Sequence, residues 1–263
     1  MKEIKVGLIG FGTVGSGTAQ VLYEQASRLE KRVGAAIRLT RVADIKVDRL
    51  PDHLTAGGRI ALTKDVNDIF IDPEIRIVVE LVGGIEPAKS FILRAIESGK
   101  HVVTANKALL AQHGNEIFAA AQREDLMVAF EAAVGGGIPI IKSLREGLTA
   151  NRIEWIAGII NGTSNFILSE MREKGASFSD ALDAAQRQGY AEADPTFDVE
   201  GIDAAHKLTI MSAIGFGIPM QFKAAYTEGI SKLAQEDIRY AEELGYRIKL
   251  LGIAKRRSKR PIS

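Results

Sequence analysis

The stretch GYAEADPTFDVEGIDAAHK (189–207) places five carboxylates between positions 192 and 203, then a histidine and a lysine. Asp203 and Lys207 are four residues apart, so on a helix they share one face. An exposed pair of that kind contributes only ~0.3–0.5 kcal/mol. Here the chain continues as LTIMSAIGF (208–216), an apolar run that predicts a buried helix. Burial disfavours a charged lysine, which could then exchange a proton near neutral pH. A second lysine, Lys107, stands just after the run HVVT (101–104). If that run is a strand of a doubly wound sheet, Lys107 lies at the edge where such sheets bind ligands. A solvated lysine at a helix start is the plainer alternative, and the helix dipole slightly disfavours it. The histidines (His53, His101, His113, His206) lack zinc-ligand spacing. His206 would project about 100° away from Lys207, a structural position.

A third motif is Gly10-Phe11-Gly12-Thr13-Val14-Gly15, the pattern G-x-G-x-x-G. It follows a predicted strand (Ile4–Ile9) and opens a predicted helix (Val14–Leu29), the context that gives it meaning. Gly10 allows the tight turn, Gly12 admits a pyrophosphate to the backbone, and Gly15 lets the helix pack closely. The helix N–H groups then face the phosphates. Asp44, at the end of the next predicted strand, could accept hydrogen bonds from a ribose diol and favour NAD. It lies 29 residues after Gly15. That exceeds the usual ~20, and a longer helix and loop over Ser27–Ala36 would absorb the excess. Lys46 and Arg49 are near enough to bind a 2′-phosphate instead.

These motifs need elements to hold them. Strands are predicted at Ile37–Ala43, Ile75–Leu81, His101–Thr104 and Met127–Phe130, alternating with helices at Pro87–Ser98 and Lys107–Arg123, the latter broken near His113-Gly114. Alternation of this kind implies βαβ units and a parallel sheet. The pattern changes after Gly135-Gly136-Gly137, which sets domain limits of 1–135 and 136–263. Beyond it come a short helix (Pro139–Gly147), a strand (Ile153–Ile160), and helices at Thr163–Lys174 and Phe178–Gln188, the second with a Ser177/Asp180 cap. A loop (Gly189–Val199), helices at Ile202–Ile214 and Gln235–Leu244 and a strand at Ile248–Lys255 complete the pattern. The basic end KRRSKRPIS (255–263) reads as solvated or as a chain cut short.

Composition bounds the function. Of 263 residues, 46% are hydrophobic and 25% charged, ordinary globular usage. Lys+Arg is 34 against 33 Asp+Glu, a net +1, which argues against a dedicated nucleic-acid binder. The absence of cysteine removes disulfides, thiolate metal sites and thiol nucleophiles. The uncharged run Val6–Tyr23 is too glycine-rich for a signal peptide. Leu208–Phe222 falls short of the ~20 residues that span a bilayer. A soluble, cytoplasmic protein without membrane contact is expected.

With these residues in place, the chain resembles homoserine dehydrogenases. The resemblance covers residues 1–255 and rests on GFGTVG (10–15), VVELVGG (78–84), GKHVVTANKALLA (99–111), FEAAVGGGIPII (130–141), GIINGTSNFIL (158–168) and the 189–207 segment, close to the family signature. It implies an α/β chain: a Rossmann-like dinucleotide-binding domain with a mostly parallel sheet, then an α+β substrate and dimerisation domain. It also implies reversible reduction of L-aspartate 4-semialdehyde to L-homoserine with NAD or NADP, on the route to threonine, methionine and isoleucine. Position by position, Lys207 matches the acid/base, Lys107 the second site lysine beside the coenzyme, and Asp203 an acid that positions Lys207. Glu192, Asp198, Thr163, Gly189 and Tyr190 match substrate-binding positions. Gly10, Phe11, Gly12, Thr13, Val14, Gly15, Asp44 and Lys107 match coenzyme-binding ones. Glu131, with the carbonyls of Val134, Gly136 and Ile138, matches a site for a monovalent cation, sodium or potassium. A glycine-rich loop can aim carbonyls at such an ion, although it can equally be a plain hinge. The chemistry is coherent, since hydride delivered to an aldehyde develops alkoxide charge that a placed ammonium stabilises.

Two departures matter. Family members often carry arginine before the acid ending the second strand; here the residue is Ala43, which favours NAD. Family members also continue well past Lys255, so the second domain is expected to be incomplete. A homodimer is expected if the missing part is dispensable. The alternatives are a non-catalytic nucleotide-binding fragment and a related dehydrogenase of another small amino acid.

Overall fold

The computed structural model describes residues 2–55 and 60–256. Two compact units emerge, one ending at Ile140 and one beginning at Ile141.

The first unit holds β1 (Glu3–Ile9), α1 (Thr13–Glu24), α2 (Ala26–Val33), β2 (Ala36–Ala43), α3 (Asp52–Thr55), β3 (Ala61–Thr63) and α4 (Asn67–Phe70). It continues through β4 (Ile75–Glu80), α5 (Ala88–Glu97), β5 (His101–Thr104), α6 (Lys107–Arg123) and β6 (Val128–Ala129). All six strands pair in parallel, in the order β3-β2-β1-β4-β5-β6. The order reverses between β1 and β4, and ligands of open α/β sheets bind in the crevice at that point. The central strands β1 and β4 are mostly buried, the pattern of a parallel sheet covered on both faces. One core cluster joins Val6, Leu8, Leu39, Val42 and Val79 with Ala19 of α1. Lys100, before β5, is buried with its Nζ donating to the carbonyls of Asp72 (2.6 Å) and Ile75 (2.8 Å). Burial pushes its pKa down.

Three differences from the sequence expectations have local causes. The helix expected from Val14 to Leu29 breaks at Gln25, and α2 then runs on to Val33, which accommodates the long spacing to Asp44. The break expected at His113-Gly114 is absent: α6 is continuous from Lys107 to Arg123. Glycine inside a helix costs about 1 kcal/mol, and burial of Leu110, Ala111, Gly114 and Ile117 on this helix outweighs it. The short β3 carries too few residues to show a period.

The second unit opens with α7 (Ile140–Lys142) and a wide turn at Ser143–Gly147, then β7 (Trp155–Gly158), α8 (Gly162–Lys174) and α9 (Phe178–Arg187). A short α10 (Thr196–Val199) lies within the loop expected over 189–199, followed by α11 (Ile202–Phe216), α12 (Gln235–Glu243) and β8 (Gly252–Lys255). β7 and β8 pair antiparallel, Trp155 facing Lys255. Ser177 caps α9, its Oγ accepting the Asp180 N–H at 3.2 Å. The core gathers Ile167, Leu168 and Met171 of α8 with Ala181, Ala185, Val199, Ile230 and Ile238. This α+β unit follows the parallel-sheet unit as expected. Arg256 donates to the carbonyls of Ile153 and Phe216; the basic stretch 257–263 lies outside the described residues. Among the described residues no helix is long and apolar enough to cross a membrane.

A Cβ at Gly15 would lie 2.1 Å from the Gly10 carbonyl oxygen. Gly15→Ala is therefore expected to lower stability by about 1–3 kcal/mol through overpacking, measured by urea unfolding; an unchanged midpoint would contradict the close helix–turn contact.

Candidate active site

In the first unit the site grows from the β1–α1 turn. Gly10 has φ +91°, and a Cβ there would meet the Leu81 carbonyl at 2.8 Å. Only glycine allows the turn to press against the end of β4 in that conformation. Gly12 has nothing within 4 Å of an added Cβ, so open space lies over it. No side chain caps α1, which leaves its first N–H groups for an anion. Thr13 and Val14 are the first residues of this helix. A cavity of about 380 Å³ sits here, lined by Gly10, Gly12, Asp44, Lys46, Lys64, Leu81 and Val82 among others. The turn, the uncapped helix and the cavity suit a dinucleotide.

Asp44 borders the cavity. Its Oδ2 accepts the Phe11 N–H (2.7 Å) and its Oδ1 those of Lys46 (2.7 Å) and Val47 (3.2 Å). Partial burial pushes its carboxyl up, but these N–H groups and the Lys64 ammonium together hold it below its usual range. Phe11 thus takes part through its backbone. Lys64 donates to the Ile45 and Val47 carbonyls and to Asp48. Arg49 is paired with Asp52 and does not line this cavity.

Lys107 begins α6 directly after β5, at the C-terminal edge of the sheet. Its placement depends on residues that sequence reasoning passed over. Glu80, the last residue of β4, is 0% exposed. One of its oxygens accepts the Val82 N–H and the other the Thr104 hydroxyl, each at 2.8 Å. Thr104 Oγ1 accepts the Asn106 N–H (3.0 Å), while Asn106 caps α6 and donates to the Gly84 carbonyl (2.6 Å). The signal was a glutamate in the apolar run IRIVVEL (75–81). Glu131 opens a turn in which its carbonyl accepts from Val134 and Gly135, each at 3.2 Å. Gly136 and Ile138 follow, and a Cβ on Gly135 would lie 2.9 Å from the Ile138 oxygen. Among the described residues no cluster of His, Cys, Asp and Glu could hold a metal.

In the second unit the acid–lysine segment divides. Lys207 Nζ pairs with Asp203 Oδ2 (2.8 Å) and donates to the Ile160 carbonyl (3.0 Å). Asp203 is buried. Asn161 donates to Asp198 Oδ1 (2.6 Å) and Asp203 Oδ2 (3.0 Å), so Asp198, Asp203 and Lys207 form one cluster. Glu200 instead accepts from Ser231, and Asp194 caps Thr196 locally. Glu192 is exposed, its backbone carbonyl held by Gln186 (2.9 Å). Thr163 Oγ1 donates to the Tyr190 carbonyl (2.7 Å), and the Tyr190 ring packs on Phe166. Gly189, with φ +75°, turns the chain out of α9 into this loop. His206 is buried against the Phe197 and Phe222 rings, a packing position. Asn161 was not singled out, although it lies in the motif 158–168 before a helix.

The first unit thus has the parallel sheet, glycine-rich turn and cavity of a dinucleotide-binding fold, and the second unit carries an acid–lysine cluster. Residues 10–131 match the homoserine dehydrogenase NAD-binding domain, and 139–262 match the homoserine dehydrogenase domain. The chain belongs to the homoserine dehydrogenase family. It is 60% identical over 256 residues to the enzyme of Pseudomonas aeruginosa, covering 97% of this chain and 58% of the relative. A crystal structure of the Thiobacillus denitrificans homoserine dehydrogenase superposes with a TM-score of 0.92 at 67% identity, covering 98% of this chain and 59% of that one. A structure from Archaeoglobus fulgidus, described as a candidate member, matches at 32% identity and TM-score 0.84 over 96% of this chain and 81% of its own. The chain spans 58–59% of the length of the first two curated relatives.

The Asp44 carboxyl titrates below its ordinary 3.8 in the folded state. Its stabilisation is present above 3.8 and lost as pH falls through the lower folded value. Asp44→Asn should therefore flatten the acid limb of a stability–pH curve, measured by denaturant unfolding from pH 6 downward; an unaltered limb counts against these backbone bonds.

Proposed function

We propose that this chain interconverts L-aspartate 4-semialdehyde and L-homoserine by hydride transfer with a nicotinamide coenzyme. The observation that carries the proposal is the Lys207 ammonium, held between a buried carboxylate and a backbone carbonyl. A positioned ammonium can stabilise alkoxide charge and donate a proton to it. Lys207 is the acid/base, and Asp203 fixes its orientation. Lys107 is the second site lysine. Glu192 binds the substrate α-ammonium, with Asp198 holding the cluster and Thr163, Gly189 and Tyr190 shaping the pocket wall. The coenzyme supplies the hydride chemistry when bound. Gly10 to Gly15 and the α1 N–H groups would hold its pyrophosphate.

NAD is the proposed coenzyme. A carboxylate at position 44 repels a 2′-phosphate, and the three donors of the Lys64 ammonium are directed at protein oxygens. Lys46 on the same wall is the cation that would favour NADP. A lower KM for NADH than NADPH is expected; the reverse overturns the Asp44 argument.

Glu131 and the carbonyls of Val134, Gly136 and Ile138 are proposed to take sodium or potassium. The crowding of the Ile138 oxygen on Gly135 supports a curled carbonyl loop there. A homodimer in the cytoplasm completes the proposal. Trp155 and Ile253 lie exposed on one face of the β7–β8 pair, flanked by exposed Ile159 and Leu251, an apolar surface suited to a second copy.

Homoserine oxidation followed at 340 nm tests the proposal, and Lys207→Ala should reduce kcat by about 10²–10⁴-fold. Undiminished turnover removes the assigned proton transfer. Coenzyme binding by calorimetry without turnover would favour a nucleotide-binding role, and turnover of another amino acid in a substrate panel would favour a related dehydrogenase.

A further inference from the structure

Asn161 is 3% exposed, and its amide meets partners from three helices. Its Oδ1 accepts the Ser164 N–H (2.8 Å), capping α8. Its Nδ2 spends both protons on carboxylates, Asp198 Oδ1 from α10 and Asp203 Oδ2 from α11. The amide has one sensible orientation, since a flip would set its oxygen against two carboxylates and its NH₂ against an N–H. The Asp203 oxygen that Asn161 holds is the one that pairs with Lys207. The other partner of Lys207 Nζ is the carbonyl of Ile160, the residue just before Asn161. One residue thus secures both oxygens that hold the ammonium, one through its side chain and one through the adjoining peptide.

We propose that Asn161 is a positioning residue: it bridges the carboxylates of Asp198 and Asp203, and through Asp203 it places the Lys207 ammonium for proton transfer. This rests on the acid/base role proposed for Lys207. Without the shared NH₂, the two carboxylates would face one another with no donor between them, and like charges at that range repel. Asp198 faces the amide from α10, and Asp203 with Lys207 from α11.

Asn161→Asp separates this role from helix capping. Aspartate caps about as well as asparagine, so α8 keeps its acceptor while the two donors are replaced by a third carboxylate oxygen. A capping role alone predicts an Asn161→Asp protein like the parent. The positioning role predicts a kcat lower by about 10²-fold, an unchanged Kd for the coenzyme, and an acid limb of the pH–rate profile moved upward. Asn161→Ser, which keeps a cap and one donor, should recover part of kcat. Parental kcat and pH profile in Asn161→Asp overturn the inference. Should the parent chain lack turnover with homoserine, the function proposal fails by itself and the inference is read from Lys207 directly. Acetic anhydride labelling of Lys207 at one fixed pH, followed by mass spectrometry, should be severalfold slower in Asn161→Asp, since an added anion holds the ammonium more tightly. An unchanged labelling rate overturns it.

Discussion

A carboxyl group taken out of water must find hydrogen-bond donors, and that requirement organises each unit of this protein. In the parallel-sheet unit the group is Glu80, at the end of β4. Its donors are the Val82 N–H and the Thr104 hydroxyl, so the ends of β4 and β5 are tied together beside the switch point of the sheet. In the second unit the group is Asp203, whose partners are the Asn161 amide and the Lys207 ammonium. In the first unit the buried carboxylate fastens the turn that precedes Lys107, and in the second it pairs directly with Lys207.

The glycine-rich turn answers to a different force, steric exclusion. Gly10 presses on the chain just after β4, and Gly15 of α1 presses on the Gly10 carbonyl, so neither has room for a Cβ. Gly12 faces open space, where a bound group can reach the backbone. Two glycines are thus required by the protein's own packing, and the third by what the turn would hold.

Much of this was legible from the chain alone. The runs of β1, β2 and β4 each end at or beside a glycine or an acidic residue, and Ser177 and Asp180 announce α9 by their capping chemistry. Short elements were illegible: β3, with three residues, and α10, with four, hold too little pattern to distinguish them from loop. The continuity of α6 through Gly114 was misjudged because a local propensity of about 1 kcal/mol yields to burial of an apolar face. Among the five acids of 189–207, nothing in their spacing separates Asp198 and Asp203, which converge, from Asp194 and Glu200, which bond elsewhere.

Residue order by itself determined the alternation of strands and helices, the glycine-rich turn and the pairing of Asp203 with Lys207, because each depends on neighbours within a few positions. Only the tertiary structure decided which donors reach Glu80 and that Asn161 joins two acids 37 and 42 residues away. Those contacts satisfy buried polar groups, and a buried group takes whatever partner the folded chain brings within about 3 Å, at any distance along the sequence.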